Sequence, residues 1–341
     1  MTLYVPPIVF DRNAHLVPLL VRVADLIWCG AGLSCFQSKH SRSTITIPTA
    51  VYTLTLPLVR LVGGWDAGPE AIGEDMHMML KCYFATHGRL SVESIPSPAS
   101  QCNVASSRKA GIRGWLHSHH ARYVQGLRHM WGCLDTGFAI KRWFKLGSNS
   151  HAMFPHTRNL SHKDSELNLV QDKLHGDGAA RFTWRNVVLF TRLFEAHILP
   201  AHLLIVLLAS TSYTKFAAPL VRCRYLTLFL NVTATLRAFS FLVMIVYFFF
   251  FYERYHRVCV EARAAEMKRV GLYEEFKHHF SYRRRSSPGT WLEYVIFPIS
   301  GTAFGGAPLI HAAFAHFWSD RLGYTVTEKP GRLVDVPAED V

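Results

Sequence analysis

The chain has 341 residues, of which 50% are hydrophobic and 18% charged, and its net charge is +13 at pH 7. This apolar balance is unusual for a soluble globular chain and predicts membrane segments. The basic residues stand beside apolar runs, which favours a membrane protein oriented by its charges over a nucleic-acid-binding protein. The seven cysteines contain no CxxC pair, so the sequence predicts neither a disulfide framework nor a zinc site.

The first elements combine helical and extended patterns. The apolar run Leu16–Phe36 carries Arg22 and Asp25, whose spacing of three allows them to pair on one face of a helix. Two charges in mid-segment favour an interfacial or groove-lining helix over a membrane span. The next run, Thr44–Leu56, is rich in β-branched residues and predicts a strand that Pro48 interrupts.

The block Val62–Gly88, VGGWDAGPEAIGEDMHMMLKCYFATHG, is the densest run of unusual residues in the chain. Its apolar spacing predicts a helix from Glu70 to Tyr83, with Glu74 and Asp75 in the first turn. An aspartate at a helix start, behind a glycine turn, can take a proton from a hydroxyl nucleophile. The two residues alone favour a more ordinary alternative, in which acidic side chains only stabilise the positive end of the helix dipole.

A second helical stretch is predicted over Ser118–Phe144, after a short strand at Arg89–Ile95 and an irregular basic connector at 104–116. It contains QGLRHMW, in which Gln125 and Arg128 are three residues apart and therefore share one helix face. Arg128 can pair bidentately with phosphate oxygens. The alternative for this stretch is a solvated, partly amphipathic helix.

The second half of the chain alternates apolar runs with basic segments. Residues 141–185 hold eight Lys and Arg and residues 253–288 hold nine, whereas the loop 214–224 holds three. The positive-inside rule therefore predicts that 1–185 and 253–288 are cytosolic, with a hairpin of two spans between them. The predicted order is a polar linker (146–185), two transmembrane helices (186–252), a basic cytosolic amphipathic segment (253–288), a third membrane segment, broken or re-entrant (289–320), and a polar tail (321–341).

Taken together, the Gly-Gly-Trp-Asp turn, the Glu-Asp helix start and Gln-x-x-Arg before apolar spans resemble the family 2 glycosyltransferases. The similarity is to the membrane-embedded branch that includes cellulose, chitin and hyaluronan synthases, and most to a fungal family-2-like group with GGWDAGPEAIGEDMHM and QxLRHMWG. The resemblance implies an α/β fold plus transmembrane helices. Residues 1–145 would form the cytosolic C-terminal (acceptor) half of a GT-A domain, followed by about three membrane segments. It also implies inverting transfer from a nucleotide sugar to a glycan or polysaccharide acceptor.

The resemblance assigns roles to particular residues. Asp75, with Glu74 in the same motif, corresponds to the general base that deprotonates the acceptor hydroxyl. Gln125 and Arg128 correspond to the motif that contacts the donor diphosphate. The residues that correspond to the lining of the acceptor cleft are Gly63, Gly64, Trp65, Asp66, His129 and Trp131.

Mg²⁺ or Mn²⁺ is the cofactor expected from the family, as a clamp on the diphosphate. The Asp-x-Asp motif that holds this metal in the family occurs nowhere in the sequence, so we assign no metal ligands and expect the N-terminal donor-binding half to be lacking. The implied partners are a nucleotide sugar donor, a glycan acceptor and a lipid bilayer of unspecified organelle. The alternatives are a catalytically inactive truncated relative or partner subunit of a synthase, and a small transporter or channel.

Overall fold

The computed structural model describes residues 1–26, 28–29, 45–49, 51–66, 73–104, 111–145, 183–216, 223–277 and 288–319. These residues are mostly helical, and their strands form only small sheets. The resemblance had implied an α/β domain. The strands are β1 (Thr2–Val5), β2 (Ile8–Phe10), β3 (Thr53–Leu54), β4 (Ser91–Ser94) and β5 (Ala99–Gln101). The helices of the first part are α1 (Leu19–Ala24), α2 (Leu56–Leu61), α3 (Glu74–Ala85), α4 (Gly111–Trp131) and α5 (Leu134–Lys145). Those of the second part are α6 (Trp184–His197), α7 (Leu199–Phe216), α8 (Arg224–Tyr247), α9 (Glu253–Arg269), α10 (Tyr273–Phe276), α11 (Pro288–Gly301) and α12 (Ala307–Ala315).

The N-terminal strand is the centre of the larger sheet. Strand β1 pairs parallel to β4 and antiparallel to β3, while β2 pairs parallel to β5. The strand predicted over Thr44–Leu56 is wrong for most of its length, because only Thr53–Leu54 joins the sheet. Pro48 has no N–H to give to a ladder, and Pro57 stands in the first turn of α2, where a missing N–H costs nothing.

Helix α3 supplies the centre of the main core. It begins at Glu74, so both predicted acidic residues do lie in its first turn, while positions 70–72 of the predicted helix lie outside the described residues. Its buried face packs against β1, α2 and the inner side of α6. Tyr83 donates a hydrogen bond to Asn186 across this contact, at 2.6 Å. The fully buried residues of α3 are Met78, Met79, Leu80, Cys82, Tyr83 and Phe84.

The predicted helix over Ser118–Phe144 is two helices, α4 and α5, which meet at Gly132 and Cys133. Helix α4 begins at Gly111, so part of the connector predicted to be irregular is helical. The predicted linker 146–185 lies outside the described residues except for 183–185, and so does the tail 321–341.

The predicted ion pair between Arg22 and Asp25 is wrong. Arg22 instead pairs with Glu293 of α11 at 2.7 Å, and Asp25 pairs with Arg122 of α4 at 3.0 Å. Asp25 follows the last residue of the short helix α1 and is 2% exposed. Its buried carboxylate needs a cation and hydrogen-bond donors in the interior, and Arg122 together with the amide of Asn103 provides them.

Among the described residues, two helices are long and apolar enough to cross a membrane, Arg224–Arg269 and Trp291–Ala315. Helices α6 and α7 are bent by 44° relative to each other, and they form a third candidate span if the two are counted as one. The interruption predicted near 294–318 is a π-helical turn, Thr302–Gly306, which joins α11 to α12 without a loop. Such turns often occur at functional sites.

Helix α4 crosses this π-helical turn at close range, because Gly126 has no side chain. A Cβ at Gly126 would lie 2.5 Å from the carbonyl oxygen of Phe304 and 3.2 Å from Cγ of Pro308. Gly306, within the turn, allows a similar approach of α7, because a Cβ at Gly306 would lie 3.2 Å from the carbonyl oxygen of Pro200. The turn is therefore the point where α4 and α7 both contact the apolar helix Trp291–Ala315, which we call the third apolar segment.

Gly126→Ala is expected to destabilise the protein by about 1–3 kcal/mol, because the new methyl group meets backbone that has no room to move. The control is Gly137→Ala in α5, where an added Cβ meets nothing within 4 Å. That change should stabilise the helix by up to ~1 kcal/mol. Thermal denaturation of both variants in one detergent measures the difference, and equal melting temperatures would contradict the close crossing.

Candidate active site

The two acidic residues at the start of α3 are held in different ways. Asp75 accepts a hydrogen bond at Oδ1 from the backbone N–H of Met76, at 2.8 Å. Glu74 is exposed and accepts a hydrogen bond at Oε2 from the hydroxyl of Tyr52, also at 2.8 Å. Burial and the neighbouring carboxylates raise the pKa of Tyr52, so this hydroxyl stays protonated and donates. The carboxylate of Asp75 thus stands at the positive end of a 12-residue helix, half-buried.

The glycine pair before this helix ends α2. Gly63 and Gly64 have φ values of 82° and 102°, and the N–H of Gly64 donates to the carbonyl oxygen of Val59 at 2.9 Å. This left-handed geometry suits glycine, and it caps the preceding helix. The turn projects Trp65, whose ring lies 5.7 Å from that of Tyr52.

Asp66, the last residue of this turn, belongs to a charged network on one face of α3. Its Oδ1 lies 2.6 Å from Nζ of Lys81, and its Oδ2 lies 3.8 Å from Nε2 of His77. The other ring nitrogen of His77 lies 2.6 Å from Oδ1 of Asp135 in α5. His77, Lys81 and Asp135 were not among the site residues predicted from the sequence. The spacing of four between His77 and Lys81, just after the acidic helix start, was the available signal.

Arg122 lies three residues before the motif residue Gln125 in α4 and is 1% exposed. Its guanidinium pairs with Asp25 and donates from Nη1 to Oε1 of Gln125 at 3.0 Å. Burial, Arg122 and Arg128 together lower the pKa of His129 to about 3, so its ring is neutral at neutral pH. The ring of His129 meets that of Trp28 edge to face, with centroids 5.2 Å apart.

Trp131, at the end of α4, is buried against α12. Its ring lies 4.2 Å from that of His316, and Met130 beside it packs on Leu309 and Ala312. The structure therefore places Trp131 at the contact with the third apolar segment.

The two sequence motifs meet at a pair of glycines. A Cβ at Gly73, directly before α3, would lie 3.0 Å from Oδ2 of Asp135 and 3.3 Å from Cα of Gly132. Gly132 directly follows α4, so the start of the Glu-Asp helix touches the end of the Gln-x-x-Arg helix. The candidate base and the candidate diphosphate-binding residues are thus carried by helix ends in direct contact.

The described residues do not fit the Mg²⁺ or Mn²⁺ site that the family implies. Among them, no group of three His, Cys, Asp or Glu side chains is placed to hold a metal ion. The carboxylates of the charged network are already engaged, Asp66 by Lys81 and Asp135 by His77.

Comparison with known proteins identifies a family. The sequence model of a family described as "Glycosyl transferase family group 2" matches residues 3–252. This range includes the glycine turn, α3, α4 and the first long apolar helix as far as Tyr252. Neither the search of curated proteins nor that of solved structures returned a match.

Proposed function

We propose, from the premise that the chain belongs to glycosyl transferase family group 2, that it transfers a sugar from a nucleotide sugar to a glycan or polysaccharide acceptor with inversion. The observation that carries this proposal is the contact of Gly73 with Gly132 and Asp135. It brings the start of α3 and the end of α4, which hold the proposed base and the proposed diphosphate ligands, to one place.

In this proposal Asp75 is the general base. The acceptor hydroxyl oxygen attacks the anomeric carbon while its proton passes to the Asp75 carboxylate, and the nucleoside diphosphate leaves from the opposite face. The N–H of Met76 donates to Oδ1 of Asp75 and so orients the carboxylate before the reaction. Glu74, tied to Tyr52, acts through the position of the helix start.

Gln125 and Arg128 bind the diphosphate of the donor. Arg128 offers a planar set of N–H groups that matches phosphate oxygens, and Gln125 is oriented by the buried guanidinium of Arg122. The acceptor side is formed by the glycine turn with Trp65 and Asp66, and by the neutral ring of His129. Aromatic rings such as Trp65, which is half-exposed, offer a stacking face for a sugar.

The membrane arrangement is also a proposal. We infer a multi-pass protein whose glycosyltransferase domain is cytosolic, with residues 253–288 on the same side. The ion pair between Arg263 of α9 and buried Asp11, next to Ser100, supports this, because it joins the end of the long helix to the N-terminal sheets. The excess of basic residues in both regions agrees with a cytosolic location.

The test is release of nucleoside diphosphate and formation of glycoside by the purified full chain, supplied with a panel of nucleotide sugars and oligosaccharide acceptors. Arg128→Lys should raise KM for the donor roughly tenfold, because an ammonium cannot make the bidentate contact. The control is Arg113→Lys, an exposed position of the same helix, which should leave KM unchanged. Failure of the wild-type chain to bind or turn over any nucleotide sugar would favour the inactive relative or partner subunit.

A further inference from the structure

A cavity separate from the candidate active site lies between α5 and α6. Its volume is about 400 Å³, within the range of small-molecule sites. One wall is Trp143 of α5, and the other is a stripe along α6. The lining residues are Trp143, Thr183, Asn186, Val187, Phe190, Thr191 and Phe194.

Helix α6 is apolar on two sides. Its inner side packs into the main core through Leu189 and Leu193, which are fully buried. Its outer side lines the cavity, where Val187 is 47% exposed and Phe194 is 43% exposed. The core of the described residues does not cover this outer side, which leaves an apolar surface that an apolar ligand can cover.

The exposed apolar side continues beyond the end of α6 toward the membrane segments. Ile198, Ile205 and Leu208 carry it into α7 and are likewise exposed. Helix α7 packs at Pro200 and Leu204 on the π-helical turn of the third apolar segment. The cavity therefore lies along α6, a helix of 14 residues, or about 21 Å, that adjoins the apolar helices. The lipids of the bilayer around those apolar helices are the apolar molecules nearest to the cavity.

The charges around the cavity favour an anionic lipid. Helices α5 and α6 carry the cationic residues Lys141, Arg142, Lys145 and Arg185, together with Arg192, which pairs with Glu195. The carboxylates of these two helices are those of Glu195, which is exposed, and Asp135, which is buried against His77. Amphipathic helices with exposed aromatic side chains and basic neighbours are typical of the surface of an anionic bilayer.

We propose that the cavity between α5 and α6 binds an acyl chain of an anionic phospholipid of the bilayer, with its headgroup beside the basic residues of the two helices. Trp143 and Phe190, whose rings meet at 5.7 Å, form the apolar floor, and Val187 and Phe194 form the sides. Thr191 also lines the cavity. This inference is independent of the sugar-transfer chemistry, because none of its residues belongs to the candidate active site.

The experiment uses the full chain purified in an uncharged detergent and titrated with phosphatidylglycerol or phosphatidylcholine. Native mass spectrometry counts the lipids that each molecule retains. The wild type should retain phosphatidylglycerol in preference to phosphatidylcholine. Val187→Trp fills the cavity and should weaken phosphatidylglycerol binding at least tenfold, because several methylene groups lose their burial.

The matched control is Val243→Trp on α8, where the valine is exposed to the same degree, 49%, but lines no part of the cavity. Its phosphatidylglycerol retention should equal that of the wild type. Thr191→Trp is a second cavity-filling change at an exposed position, to be used if Val187→Trp loses its helical circular dichroism. Equal retention by the cavity-filled and control variants, or equal binding of the two phospholipids by the wild type, would overturn the proposal.

Discussion

Asp75→Asn is expected to lower kcat for sugar transfer by about 10²- to 10⁴-fold, the usual contribution of a positioned general base. An asparagine can still accept the hydrogen bond from the N–H of Met76, so α3 should keep its start and the protein its melting temperature. The loss therefore reports the proton transfer. The measurement is nucleoside diphosphate release at saturating donor and acceptor.

Glu74→Gln is the control for this change, since it converts the adjacent carboxylate to an amide in the same helix turn. An amide oxygen can still accept from Tyr52, so turnover should stay within a few-fold of the wild type. If Asp75→Asn retains wild-type turnover, or if Glu74→Gln loses as much as Asp75→Asn, the assignment of Asp75 as base is wrong.

Arg122→Met should destabilise the protein by about 3–5 kcal/mol, because it leaves a buried carboxylate without its cation. Arg122 and Asp25 are both almost fully buried and lie 3.0 Å apart. The same change removes the hydrogen bond that orients Gln125, so donor binding should weaken in whatever fraction stays folded. Thermal and urea denaturation in detergent measure the stability difference.

The control is Arg192→Met, which breaks an ion pair of similar length, 2.9 Å to Glu195, on the exposed side of α6. Exposed pairs contribute little, and this change should cost less than about 1 kcal/mol. The double change Asp25→Asn with Arg122→Met should recover part of the loss, because it removes the uncompensated charge. A similar cost for Arg122→Met and Arg192→Met would show that the buried pair does not stabilise the fold.

Local patterns in the sequence were enough to locate the candidate catalytic elements. Apolar spacing predicted the helix that carries Glu74 and Asp75, although the helix begins at Glu74 and not at the predicted Glu70. Gln125 and Arg128 likewise share one helix, as predicted. The long apolar helices follow from composition alone, since a bilayer span needs only length and low charge.

The sequence by itself thus determined the family motifs, the helices that carry them and the apolar segments. Only the tertiary structure decided which charges pair, because Arg22 and Asp25 found partners in α11 and α4, far along the chain. The desolvation cost of a buried charge requires a partner of opposite charge, but it does not determine which residue that partner is. The contact of Gly73 with Gly132, the network of His77 with Asp66 and Asp135, and the crossing at Gly126 likewise depend on helices brought together by packing. Spacing along one helix carries no information about that packing.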